Sequence, residues 1–245
     1  MRRLAVGIVI GVVVIVGAGA AAIARGLIFH DTAKPASIED AVHRFQTSGG
    51  GRSKLAGVYL YATSGGESID ALGGANHRYP ATTSVTAVGT RCGVRLRWDA
   101  LVGRTATWTL CATPAGVELS TWEVVHTFFG RSDRTTYTCA VPLLLRAGSF
   151  RCRSARGGQS GRVTVVGREE VVVAGKAVST LHVRTVGRVT GGDHGTETAD
   201  WWLGTESGLP VRLLLSSRTS RPLFLGRVHY KEDVDLRLRS TIPKR

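Results

Sequence analysis

Hydrophobic positions follow three different periods along the chain. From Leu4 to Ala24 every residue is Leu, Ile, Val, Ala or Gly. At about 1.5 Å per residue, such a run makes a helix of about 30 Å, the thickness of a bilayer's hydrocarbon core. Arg2 and Arg3 precede it, and positive charge there favours keeping that end in the cytoplasm. The pattern predicts a single-pass transmembrane anchor over residues 1–29 with the remainder exported. Ala18-Gly19-Ala20, Ala20-Ala21-Ala22 and Ala22-Ile23-Ala24 also fit signal-peptide cleavage. The run is longer than the apolar region of about 7 to 15 residues that signal peptides carry, which favours an uncleaved anchor.

Residues 30–56 read as a linker with one helical period. Asp31 to Ala36 is a polar bridge, and Ser37 then stands ready to cap the free N–H groups of a helix over 37–47. Glu39 and Asp40 suit its first turn, Ile38, Ala41, Val42 and Phe45 form its apolar stripe, and Ser48-Gly49-Gly50-Gly51 ends it. That stripe is expected to pack on the domain that follows.

From Gly57 the pattern changes to short β-branched and aromatic runs between Gly, Asp, Ser and Pro. Residues 58–61, 84–88, 94–98, 105–111, 117–128, 135–139, 162–166, 170–174, 179–189, 196–203, 211–219 and 226–238 read as strands, mostly antiparallel. So many strands in one segment predict a mainly β, sandwich or barrel-like domain over 57–245. Pro142 to Ser160 breaks the pattern and reads as a long connection between two halves of the sheet. Val171-Val172-Val173 and Leu213-Leu214-Leu215 put apolar groups on both faces of a strand, so some strands must be covered twice. Adjacent Trp201 and Trp202 cannot both face one core. Packing is the default for such aromatics, and Trp98, Trp108, Trp201 and Trp202 are the candidates for an apolar groove.

Composition adds a compartment and a charge. Cys92, Cys111, Cys139 and Cys152 all follow the apolar run, and an even count in an exported chain predicts two disulfides. Proximity favours Cys92 with Cys111 and Cys139 with Cys152. Strand parity supports the second pair through Tyr137 and Phe150, whereas the first needs a bulge or two-sided burial. The net charge is +14, of which Arg2, Arg3 and Arg25 contribute three, leaving +11 for the exported part. Codon bias explains an Arg-rich surface most simply; a docking role would require the arginines to share one face.

No stretch carries a recognisable reaction chemistry. Gly158-Gln159-Ser160-Gly161 lacks the spacing of a nucleophile elbow. Asp193, His194, Glu197 and Asp200 form the most polar cluster, but Gly191-Gly192-Asp193-His194-Gly195 is explained as a hairpin turn. The remaining histidines stand singly, without the i, i+4 pairing of zinc hydrolases. No metal, cofactor or nucleic-acid partner is expected.

Gly57 through Ser68, continuing by Asp70 to Gly74 and His77-Arg78-Tyr79-Pro80, with Phe128-Phe129-Gly130, resembles uncharacterised actinobacterial membrane-anchored envelope proteins. Gly167-Arg168-Glu169, Val173-Ala174-Gly175, Trp201-Trp202 and Gly208-Leu209-Pro210-Val211-Arg212 resemble the closing strands of LolA-like lipoprotein-carrier folds. That resemblance implies a curled antiparallel sheet or incomplete β-barrel around a helix-plugged apolar hollow. The expectation is a non-catalytic envelope protein that binds a lipid or other apolar ligand, or docks to envelope proteins or anionic wall polymers.

Overall fold

A computed structural model describes residues 31–48, 53–114, 116–144, 147–223 and 226–245. The apolar run Leu4–Ala24 lies outside them, and no helix among the described residues is long and apolar enough to cross a membrane.

Among the described residues the one α-helix, α1 (Ile38–Thr47), begins where expected: Ser37 is extended, and its Oγ accepts from the Asp40 N–H at 3.0 Å. Ala41 and Phe45 are buried against Ala56 and Val58. Arg44 adds an ion pair to Asp99 at 2.8 Å. Ser37→Ala should cost about 1 kcal/mol, read as a lower denaturation midpoint, because it frees the N–H that the cap satisfies.

The rest is β: β1 (Gly57–Ile69), β2 (Ala75–Arg78), β3 (Thr82–Gly89), β4 (Gly93–Leu101), β5 (Arg104–Thr113), β6 (Gly116–Phe128), β7 (Arg131–Leu144), β8 (Gly148–Ser154), β9 (Gly157–Val173), β10 (Lys176–Gly191), β11 (His194–Gly204), β12 (Pro210–Leu223) and β13 (Gly226–Leu238). From β3 to β13 each strand pairs antiparallel with the next, and β13 then pairs with β1 along Tyr61–Ile69. The expected curled sheet therefore closes into a ring. Closure removes the open edges that unpaired strands would present. At Gly65, φ is +109° and an added Cβ would stand 2.0 Å from the Asp233 carbonyl oxygen. Only glycine allows β1 to bend there, pairing with β3 before the bend and β2 after it.

Two expectations need correction. Pro142–Ser160 is not a long connection, since it contains β8, which joins β7 to β9 in the sheet. The two expected strands 162–166 and 170–174 are one strand, β9, which ends at Val173 and whose register slips opposite His182 and Val183, leaving Val166 as the extra residue of a bulge. Both disulfides form in the expected pairs. Cys139 and Cys152 face each other across β7 and β8. Cys92 sits in the turn before β4, free of strand parity, which is how it reaches Cys111.

Alternation sorts the side chains. Tyr59 and Tyr61 point into the ring, while Val58, the residue before Tyr59, packs outward on α1. The helix therefore lies on the outer face of β1 and β3 and does not plug the barrel. Inside, Trp108 meets Trp201 edge to face at 5.6 Å among buried Leu96, Leu110, Leu203, Leu213 and Leu236. This apolar packing leaves the other end of the barrel for something else.

Candidate functional site: a cavity above a buried ionic network

The turns β4–β5, β6–β7, β10–β11 and β12–β13 share one end of the ring, and a cavity of about 340 Å³ opens there. Trp122, Val124, Phe128, Tyr137, Val189 and Val228 supply apolar wall, and His126, Glu197, Ser217, Tyr230 and Glu232 supply polar groups. Its size falls within the range of about 300–1,000 Å³ usual for small-molecule sites. At the mouth, Arg221 pairs with Asp193 at 2.7 Å and Asp133 at 3.2 Å, and Arg156 also pairs with Asp133.

Beneath the cavity, charged residues occupy positions that strand alternation assigns to the core. Glu67 follows Tyr59 and Tyr61 in register, and Glu232 precedes Val234, Leu236 and Leu238. Arg104 is buried and spans them: its guanidinium binds both Glu232 oxygens at 2.7 and 2.9 Å and lies 3.7 Å from Glu67. It also stacks 5.2 Å from the Trp98 ring. Tyr79 donates to Glu232. Glu67 accepts from the Tyr230 hydroxyl at 3.0 Å and lies 2.7 Å from His126 Nδ1 and 3.2 Å from His77 Nδ1. Burial alone would push the Glu67 carboxyl up; the hydrogen bonds from His126 and His77, with Arg104, outweigh it and hold it at about 2. His77 is held above the usual imidazole range chiefly by its bond to Glu67.

Asp31 completes this network from outside the barrel. Its Oδ2 lies 3.1 Å from His77 Nε2 and accepts from the Phe129 N–H at 2.8 Å. Residues 34–36 then run along the β4–β5 turn, where Val102 N–H donates to the Lys34 carbonyl at 2.9 Å. The polar bridge of the sequence is a strap tied to the cavity end.

Glu197 differs from the other carboxyls. It faces the cavity, and Gln159 is its hydrogen-bond partner at 3.3 Å. Burial raises it to about 8, Glu232 adding to the rise against Gln159 and Arg104. At neutral pH the cavity thus contains a protonated carboxyl able to donate a hydrogen bond, beside Glu232, whose oxygens are already engaged by Arg104 and Tyr79.

The residues singled out in the sequence are dispersed by this geometry. Trp98, Trp108 and Trp201 are buried in the core, and a small void of about 30 Å³ touches Trp108 and Trp201. Trp202 lies on the outer face, stacked on His182 at 4.0 Å and under Arg212 at 4.9 Å. None of the four lines the cavity at the β6–β7 end; Trp122 does. Of the polar cluster near β11, Asp193 stands at the mouth, His194 is exposed, Glu197 faces the cavity, and Asp200 pairs outside with His182 and Arg184. Sequence reading missed Glu67, Arg104, His126, Tyr230 and Glu232. The available signal was a charged residue in the apolar register of a strand. No group of His, Cys, Asp and Glu able to hold a metal ion occurs among the described residues.

Comparison with protein-family models, with curated proteins and with solved structures finds no match for this chain.

Proposed function

We propose that this is a non-catalytic, membrane-anchored envelope protein that holds an apolar or amphipathic small molecule in the barrel cavity. The observation that carries this reading is the cavity itself, walled mainly by aromatic and aliphatic side chains, with a few polar groups set to orient a ligand. Glu197 offers a donor to a ligand oxygen, while the Arg104 network beneath is closed on itself. The Leu4–Ala24 run supports the anchor, and two disulfides support an oxidising compartment.

The test is native mass spectrometry of the full chain extracted in mild detergent, paired with titration by a fluorescent fatty acid. A co-purifying small molecule and saturable one-to-one binding are expected. Thr219→Trp, which places an indole in the cavity, should abolish both while leaving the fold intact. A bare chain with no saturable binding would sink the proposal.

A second reading is docking to an anionic wall polymer. Outward arginines are spread around the ring, and many are ion-paired, as with Arg97, Arg134, Arg184, Arg218 and Arg237. Arg151, Arg153, Arg162 and Arg188, by contrast, cluster on adjoining positions of β8–β10 with no ion pair among the described residues. Retention on such a polymer that Arg151→Glu and Arg188→Glu abolish would favour this use.

A further inference from the structure

The strap orients the barrel. Asp31 is fixed to His77 and to the backbone of Phe129, and Phe129 lines the mouth of the cavity. Counting even from Arg25, six residues separate the apolar run from Asp31, which fully extended reach at most about 20 Å. A bilayer that holds Leu4–Ala24 therefore lies close to the cavity end, and the opposite end points away from it. Apolar tips alone do not choose between the ends, since Val172 and Ile242 are exposed near the far one. The tether does.

The cavity rim has the chemistry for such a position. Val102 is 72% exposed at the β4–β5 turn and Leu223 is 55% exposed at the end of β12. Phe129 stands at the β6–β7 turn with φ of +54°, a backbone conformation that a bulky side chain rarely adopts, tied down by its bond to Asp31. Lys34, Arg131 and Arg227 are exposed around these tips. The carboxylates at the same rim are engaged: Asp133 and Asp193 by arginines, Asp70 by His229, Asp31 by His77. Apolar tips ringed by cations that have no ion pair among the described residues match an anionic headgroup layer.

We propose that the cavity rim docks on an anionic bilayer, with Val102, Phe129 and Leu223 in the headgroup region and the cavity opening directly toward lipid. This rests on the reading of Leu4–Ala24 as an anchor, and it gives the ligand of the proposed site a source: it passes between bilayer and barrel without crossing water.

Hydrogen exchange on the full chain in phosphatidylcholine nanodiscs, with and without phosphatidylglycerol, tests it. Amides of the β4–β5, β6–β7 and β12–β13 turns should exchange at least about tenfold more slowly in the anionic discs than in detergent, while the β9–β10 and β11–β12 turns at the far end exchange alike in both. Val102→Asp and Lys34→Glu change exposed rim positions outside the cavity lining and should keep the fold; the pair should lose the rim protection and the uptake of a fluorescent fatty acid from vesicles, yet bind the same probe supplied from solution. Should the mature chain begin near Arg25, the same protection is expected on phosphatidylglycerol liposomes. Equal exchange at the rim in detergent and anionic lipid, or equal protection at both ends, overturns the docking. Failure of the ligand reading looks different: rim protection persists while native mass spectra show a bare chain.

Discussion

Arg104→Met lowers the stability of the barrel by about 3–5 kcal/mol, because it leaves the buried Glu232 carboxylate without its bidentate partner. For a domain of this size that is a fall of about 10 °C in Tm. The double variant Arg104→Met, Glu232→Leu should recover much of the loss, since removing both charges also removes their desolvation cost. Glu67 remains satisfied by His77, His126 and Tyr230 in that background. Chemical denaturation of the single and double variants measures the difference; a single variant as stable as the parent would show that the guanidinium is not what holds this layer together.

The second large effect is a dependence on pH. Glu197 stays protonated in the folded chain up to about 8, whereas in the unfolded chain it releases its proton near 4.5. The folded state then binds more protons between those values, so stability falls as pH rises through the window. Glu197 is only part-buried, which moderates the effect, and the loss should be about 3 kcal/mol by pH 8. His77, raised above 6.5 by its bond to Glu67, adds in the same direction: its contribution is whole below 6.5 and lost as pH rises through the folded value. Glu67 acts at the other end. Held at about 2, it contributes above 4.5, and that contribution is lost as pH falls toward 2. Stability should therefore peak in mildly acidic solution. Glu197→Gln should flatten the decline between 4.5 and 8 and be more stable than the parent at pH 8. An unchanged slope in that variant would remove Glu197 as the cause.

The outer layers of this organisation were legible because they rest on local period. The Ser37 cap and the stripe Ile38, Ala41, Val42, Phe45 predicted α1, and its expected burial on the β-domain is observed. Most strands followed from alternation. β8 was hidden by its neighbours: Phe150 and Cys152 alternate with Arg151 and Arg153, but the preceding triple leucine and the glycines around Ser160 mask that short signal. The site was harder for a different reason. Glu67 with Tyr230 are 163 residues apart and Arg104 with Glu232 are 128 apart, and they meet only because the ring closes. In the sequence Glu67 stands before Ser68, and Glu232 stands between Lys231 and Asp233, with nothing local to mark them as buried. Their strand parity was in plain view, but it speaks only once the inner face is known.

Closure of β1 on β13 also sets the order in which this protein is made. The first strand has no final partner until the last strand has been synthesised, so a chain delivered from its N-terminus spends most of its delivery as an unclosed sheet with an open edge. Its two disulfides span only 19 and 13 residues, so each bridge joins segments that emerge almost together and locks its neighbourhood before the seam exists. Losing the final strand would therefore not shorten the barrel by a twelfth or so; it would leave the ionic layer unassembled and the seam open to a second chain. The cavity end of the barrel is finished only when that seam forms.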